Sequence, residues 1–264
     1  MPKGKKEKAI DHKHHMKLQR EKELKRKEKR SVELPAELVN IRNSARVSKE
    51  QLVQITESSI DSLVTRFKKT PYFFYTENDL HTFLYSDIYN RLSVGEWLCR
   101  TSDNRSSVLL HKEYPTKERY NARALKEGVS KGARGHFDLS IWNPEETSNR
   151  VFRVDSSSNF KDEQQTFIAI EFDMIEGNHT FESALHHFKW DLIKLRGNKN
   201  EVEYGYQLVF VRDWAYRNDF VAKARTEAAK AENTTVLYIE TNNGTSQTGT
   251  LSPKLFLNYK PILN

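Results

Sequence analysis

Apolar and polar positions alternate along this chain in two rhythms. From Leu52 the apolar residues Ile55, Ile60, Leu63, Val64 and Phe67 mark one face of a helix. Ser48 followed three residues later by Gln51 suits a capping box at its start, and Thr70-Pro71 a stop at its end. A second helix is predicted from Thr76 as cap, with Leu80, Phe83, Leu84, Ile88 and Leu92 mostly three or four apart and Glu77 and Asp79 in its first turn. The rhythm then shortens. Val108 to Tyr114 reads as a strand stopped by Pro115, Thr116 to Arg134 as a polar loop with a helical turn near Ala122 to Lys126, and Gly135 to Trp142 as a strand. A polar connection through Asp155 to Asn159 leads to a strand over Phe167 to Asp173. A helix follows with Ala184, Leu185, Phe188, Ile193 and Leu195, ending at Arg196-Gly197. Tyr206 to Val211 is a strand, Asp219 to Glu232 an alanine-rich helix and Val236 to Ile239 a strand, while Glu201 to Glu203 and Asn242 to Gln247 read as surface turns. Three consecutive strands followed by alternating helix and strand predict an α/β fold, a mixed sheet flanked by helices.

Charge divides the chain before any motif does. The sequence holds 43 Lys and Arg against 36 Asp and Glu, a net charge of +7. Residues 1 to 30 alone carry 13 basic and 5 acidic residues, so the remainder is close to neutral. A basic arm of this kind suits a polyanion, because each neutralised phosphate releases condensed counterions. Lys25, Arg26, Lys27, Lys29 and Arg30 are its densest run. The competing reading is a solvated tail that aids solubility or targeting. The expected organisation is the arm over 1–30, a helical linker or packing segment over 31–70, and an α/β domain over 71–264. A single cysteine, Cys99, excludes an internal disulfide and a thiolate zinc cluster within one chain. No apolar run approaches the roughly 20 residues of a membrane span, and no apolar segment follows the basic start. The expectation is a cytoplasmic protein associated with nucleic acid and not with membranes.

The candidate chemistry lies where carboxylates interrupt apolar strands. Gly135-His-Phe-Asp-Leu-Ser-Ile-Trp142 carries Asp138, and Phe167-Ile-Ala-Ile-Glu-Phe-Asp173 carries Glu171 and Asp173. Burying an unpaired carboxylate is costly, so its presence in a core strand asks for a partner. Adjacent strands bearing carboxylates can hold Mg2+ or Mn2+, hard cations that need few protein oxygens plus water. Glycine-rich phosphate loops and a serine nucleophile elbow are both missing from the sequence.

A helix with an early Glu77, then His111-Lys-Glu-Tyr-Pro115, Arg134-Gly-His-Phe-Asp-Leu139, Ile168-Ala-Ile-Glu171 and Asp191-Leu-Ile-Lys-Leu195 resembles the PD-(D/E)XK nuclease superfamily. The resemblance spans about Tyr75 to Glu240 and rests on order and spacing. It implies a restriction-endonuclease-like α-β-β-β-α-β core and Mg2+-dependent cleavage of nucleic acid, with DNA the first expectation. Asp138 takes the place of the motif's first carboxylate and Glu171 that of the second; Glu77 is a further candidate ligand, or else a charge complementing its helix dipole.

The motif's lysine belongs two residues after Glu171, where this chain has Asp173. Three accounts stay open. Asp173 is a further metal ligand, or the ammonium comes from Lys189, Lys194 or Lys112, or the site has decayed into a scaffold. His136 shares a face with Asp138 and, with Lys112 and Arg134, is a candidate for touching nucleic acid. His186 and His187 read as helix-surface residues. The alternative function is a nuclease-like module that binds nucleic acid without cutting or serves as a subunit of a larger nucleoprotein complex; a protein partner or homodimer stays open.

Overall fold

Ser48 starts the first helix as its spacing suggests. In the computed structural model its hydroxyl accepts from Gln51 N while Gln51 Oε1 accepts from Ser48 N at 2.9 Å, so two amides that lack intrahelical partners are satisfied at once. The structure describes residues 47–100, 106–121, 126–127, 133–145, 165–242 and 245–251. The chain divides into two compact units, Met1–Ser44 and Ala45–Asn264, and every described residue belongs to the second. The basic run Lys25, Arg26, Lys27, Lys29 and Arg30 therefore lies outside the described residues, as does Asp155 to Asn159. Arg134 is on a described strand, but its side chain is not described.

Helix α1 (Lys49–Lys69) is followed by a 3-10 turn (Pro71–Phe73), α2 (Glu77–Asn90) and a single turn, α3 (Val94–Trp97). A small hairpin, β1 (Leu98–Arg100) and β2 (Ser106–Val108), precedes the main sheet. That sheet takes β3 (Leu110–Asn121), β4 (Lys126–Glu127), β5 (Ala133–Trp142), β6 (Thr166–Ile175), β7 (Tyr204–Arg212), β8 (Thr234–Asn242) and β9 (Thr245–Thr250). Helix α4 (Phe181–Arg196) crosses from β6 to β7, and α5 (Arg217–Ala228) from β7 to β8. The seven strands lie in the order β4-β3-β5-β6-β7-β8-β9. Pairs β6/β7 and β7/β8 are parallel and the others antiparallel, so the sheet is mixed, as the element order predicts.

Alternate residues of the central strands bury into different layers. Ile168, Ile170 and Phe172 of β6, with Leu208 and Phe210 of β7, meet Leu52, Ile60, Leu63, Phe67, Leu80 and Leu84 of α1 and α2. Val209, Val211, Val236 and Tyr238 face Ala184, Phe188 and Leu192 of α4 and Phe220 and Ala224 of α5. Helix α1 thus belongs with the sheet. All ten residues of β6 are buried, which is why Glu171 and Asp173 must find partners on the α4 side. Among the described residues no helix is long and apolar enough to cross a membrane.

Two sequence expectations are corrected. Pro115 does not stop its strand, because β3 continues to Asn121. Beside Pro115 the ladder runs only to β5, since β4 reaches no further than Tyr120 and Asn121. The register shift between Pro115 and Arg119 accommodates a residue without an N–H. The polar stretch after Asn242 is likewise more than a turn: Thr245 to Thr250 pair with Asn242 to Leu237 as an edge strand. Pairing with β8 overrides a sequence that has no apolar alternation of its own.

Candidate metal centre

Asp138 sits within β5 where its ladders thin out. The ladder to β3 joins Lys112 with Leu139 and Tyr114 with Phe137 but skips Asp138, and the ladder to β6 ends at Leu139 with Ile170. The skipped partner, Glu113, has φ 54°, a left-handed conformation that is unfavourable for a residue with a Cβ. Phe137 and Leu139 share a face in a regular strand. Here Leu139 packs with the α1 and α2 core, and Phe137 with Leu195 and Val202 on the α4 side. The strand therefore twists through Asp138, whose Oδ2 accepts the Phe172 amide at 2.8 Å in place of a ladder carbonyl.

Glu77 and His81 approach from α2. Asp79 anchors that helix start by accepting from Thr76 N at 2.8 Å and Tyr75 N at 2.9 Å. Glu77 Oε2 accepts from Met174 N at 3.3 Å, and one turn later His81 Nε2 lies 3.8 Å from Glu77 Oε1 and 3.6 Å from Asp138 Oδ2. His81 is 4% exposed, and neither ring nitrogen has a hydrogen-bond partner. Its ring lies 4.5 Å from that of Phe172. Burial lowers its pKa against the pull of Asp138, so it is held neutral. A neutral buried imidazole between two carboxylates has the form of a metal ligand, and the three groups lie within 4.8 Å of one another.

Lys194 reaches the same place from α4. Its ammonium donates to Glu171 Oε2 at 2.7 Å and His136 O at 3.0 Å, and pairs with Asp191 Oδ1 at 2.8 Å. Gly135 makes room for it, since a Cβ there would stand 3.0 Å from Lys194 Cδ. Burial opposes the charge of Lys194, but Asp191, Glu171 and Asp138 more than offset it and keep the amine protonated. One ammonium does not neutralise them all. Burial pushes Glu171 well above the carboxylate range and Asp191 up to about 7, each against the pull of Lys194. Burial and the neighbouring Asp138 and Asp173 likewise push Glu77 up to about 7. Glu171 Oε1 is buried without a partner. The cluster is short of positive charge, and Glu77, His81 and Asp138 are the group within it whose ligand atoms could share a cation.

Asp173 is differently placed. Gln207 Nε2 donates to its Oδ2 at 2.7 Å, and His187 Nδ1 lies 3.1 Å from its Oδ1. The hydrogen bond to Asp173 pushes His187 up to about 10, with further pull from Asp191, whose Oδ2 is 4.0 Å away. Asp173, His187 and Asp191 form a second group with metal-ligand geometry, in which His187 and Gln207 already pair with Asp173.

Of the residues singled out from the sequence, Glu77, Asp138, Glu171, Asp173 and Lys194 converge. Lys189 does not: it turns to the other side of α4 and pairs with Glu227 of α5 at 3.4 Å. Lys112 hydrogen-bonds Asn78 at the start of α2, on the rim, and His136 is exposed there. Sequence reasoning missed His81 and Gln207 and left His187 and Asp191 without a role in the site. Only the spacing of His81 four residues after Glu77 gave a signal, since that interval puts both on one helix face. Compared with known protein families, curated proteins and solved structures, the chain finds no match.

Proposed function

We propose that this chain is a restriction-endonuclease-like phosphodiesterase that cuts nucleic acid, DNA in the first instance, with Mg2+ or Mn2+ held by Asp138, Glu171 and Glu77. The reading is carried by one observation: the buried Lys194 ammonium lies 2.7 Å from Glu171 Oε2 while Glu171 Oε1 has no partner. It is supported by the order of α2, β3, β5, β6, α4 and β7, a helix, three antiparallel strands, a helix and a parallel strand, which is the order of that fold's core. The lysine expected at position 173 would then have its counterpart in Lys194, one helix later in sequence but beside the same carboxylate.

The residues divide the work. Asp138 and Glu171 present anionic oxygens from adjacent strands, with Asp138 oriented by the Phe172 amide. His81 adds a nitrogen ligand, which favours Mn2+ over the harder Mg2+. A metal bound there would lower the pKa of a water and offset charge on the phosphate. Lys194, fixed by Asp191 and the His136 carbonyl, would hold the attacking water beside Glu171 and counter the charge that develops on the phosphate oxygens. The basic arm would add affinity without sequence preference.

The test is cleavage of single- and double-stranded DNA and RNA with Mg2+ or Mn2+. Activity should be present in the wild type and absent from Asp138→Ala and Glu171→Ala. Activity surviving both substitutions together would place the chemistry elsewhere. A second reading, a module that binds without cutting, is favoured by the same Lys194 contacts, because an ammonium paired with Glu171 and Asp191 is also how a disused site would close. Lack of cleavage together with lack of divalent-ion binding would select it.

A further inference from the structure

Among the described residues the large exposed hydrophobic side chains are all aromatic: Tyr72 at 69%, Phe73 at 65%, Tyr75 at 85% and Tyr216 at 49%. They occupy two loops, the turn before α2 and the connection from β7 to α5. These loops are tied together. Arg212 Nη1 donates to Pro71 O at 2.9 Å and Phe74 O at 2.8 Å, and Tyr72 hydrogen-bonds Asp213. Phe74 is buried against α1 and α2, with its ring 6.2 Å from Phe67 and 5.6 Å from Phe83. The exposed rings are therefore presented by a pinned turn. Single exposed apolar residues are ordinary; four exposed aromatics on two loops joined by hydrogen bonds are not.

We infer that this patch is a stacking platform for the unpaired bases of a single-stranded nucleic acid entering the carboxylate site. The inference rests on the proposed function for its substrate and adds the strand state. Cations flank the rings as such a surface requires. The Arg66 guanidinium lies 5.8 Å from the Phe73 ring centre, and Lys68 and Lys69 are exposed in the same last turn of α1, whereas Arg212, buried and paired with Glu176, lies against the Tyr72 ring as part of the scaffold. Rings that take base faces beside cations that take phosphates is the common design for single strands. Among the described residues no large aliphatic side chain is exposed. Position fits too: Tyr75 stands two residues before Glu77, so their Cα atoms are within about 7 Å by chain geometry. A strand stacked on the turn would run past the carboxylates. A duplex, whose bases are already stacked, gains nothing from these rings.

The experiment measures binding of a labelled oligothymidylate and of a duplex of equal length to the full chain in EDTA, at salt high enough to suppress the basic arm. The wild type should prefer the single strand. The double substitution Phe73→Leu with Tyr75→Leu, which keeps apolar area but removes the π faces, should weaken single-strand binding by about tenfold or more and leave the duplex nearly unchanged. Thermal unfolding should match the wild type, since both side chains are exposed. Equal affinity for the two nucleic acids, undiminished single-strand binding by the double variant, or a wild-type dimer that the double variant turns monomeric would each overturn the platform. Because the assay is metal-free, a failure of cleavage leaves its outcome untouched, and the two readings fall separately.

Discussion

Two clusters in this protein each hold two carboxylates and one histidine, and they are in opposite states. In Glu77, His81 and Asp138 the imidazole is buried, neutral and without a hydrogen bond. In Asp173, His187 and Asp191 the imidazole is 58% exposed, lies 3.1 Å from Asp173 and is pushed up to about 10, chiefly by that hydrogen bond. Gln207 satisfies Asp173 further. Composition alone makes both clusters metal sites; hydrogen-bond satisfaction separates them. The first leaves both imidazole nitrogens unpartnered between two carboxylates, as a cation site would require. The second ties α4 to β6 through His187 and Asp173; on the proposed nuclease reading, the ammonium role falls to Lys194.

The largest effect should come from Lys194, which touches both sides of the divide through Glu171 and Asp191. Lys194→Met would leave buried carboxylates without a counter-charge, a loss of about 3–5 kcal/mol, and should abolish cleavage. Chemical denaturation of the variant checks the first effect and turnover the second. A variant as stable as the wild type would mean that the carboxylates are already protonated.

Next in size, Asp138→Asn and Glu171→Gln should each lower turnover by a factor of about 100 to 1,000 or more, whereas Asp173→Asn should cost about tenfold or less, since Asn at that position still accepts from Gln207. Single-turnover kinetics with Mn2+ distinguishes them. Equal losses for all three would erase the contrast between the clusters.

Gly135→Ala probes the same ammonium from behind. A Cβ 3.0 Å from Lys194 Cδ forces the stem aside, at about 1–3 kcal/mol as for other overpacked sites. A fall in turnover larger than the fall in stability would show that the position of the ammonium matters beyond folding.

The smallest effect is in pH. The pKa of His187 is raised on folding, so its pairing with Asp173 stabilises the protein fully below the unfolded value near 6.5 and is lost as pH rises towards about 10. With solvent screening of this half-exposed side chain, about 1 kcal/mol is expected. Thermal melts across that window should show the loss in the wild type, and Asp173→Asn should flatten it.

What the sequence disclosed follows the same physics. Asp138, Glu171 and Asp173 stood out because a charge in an apolar run is expensive, and the capped starts of α1 and α2 because their signals are local. His81, His187 and Asp191 did not stand out, since helical periodicity gives a face without saying what that face meets. The burial of Lys194 depends on Glu171, 23 residues away in the chain. Lys189 and Lys194 looked equivalent until packing sent one to Glu227 and the other to Glu171. Neither the twist at Asp138 nor the passage of β3 through Pro115 has a local signature, because both are set by the neighbouring strands.

Mn2+ binding, followed by its electron paramagnetic resonance signal, tells the two clusters apart. The wild type and the double variant Asp173→Asn with His187→Gln should bind the ion alike, His81→Ala should bind it more weakly, and Asp138→Asn with Glu171→Gln should not bind it. Loss of binding in the Asp173 and His187 variant, with retention in the Asp138 and Glu171 variant, would put the metal in the other cluster and contradict the account.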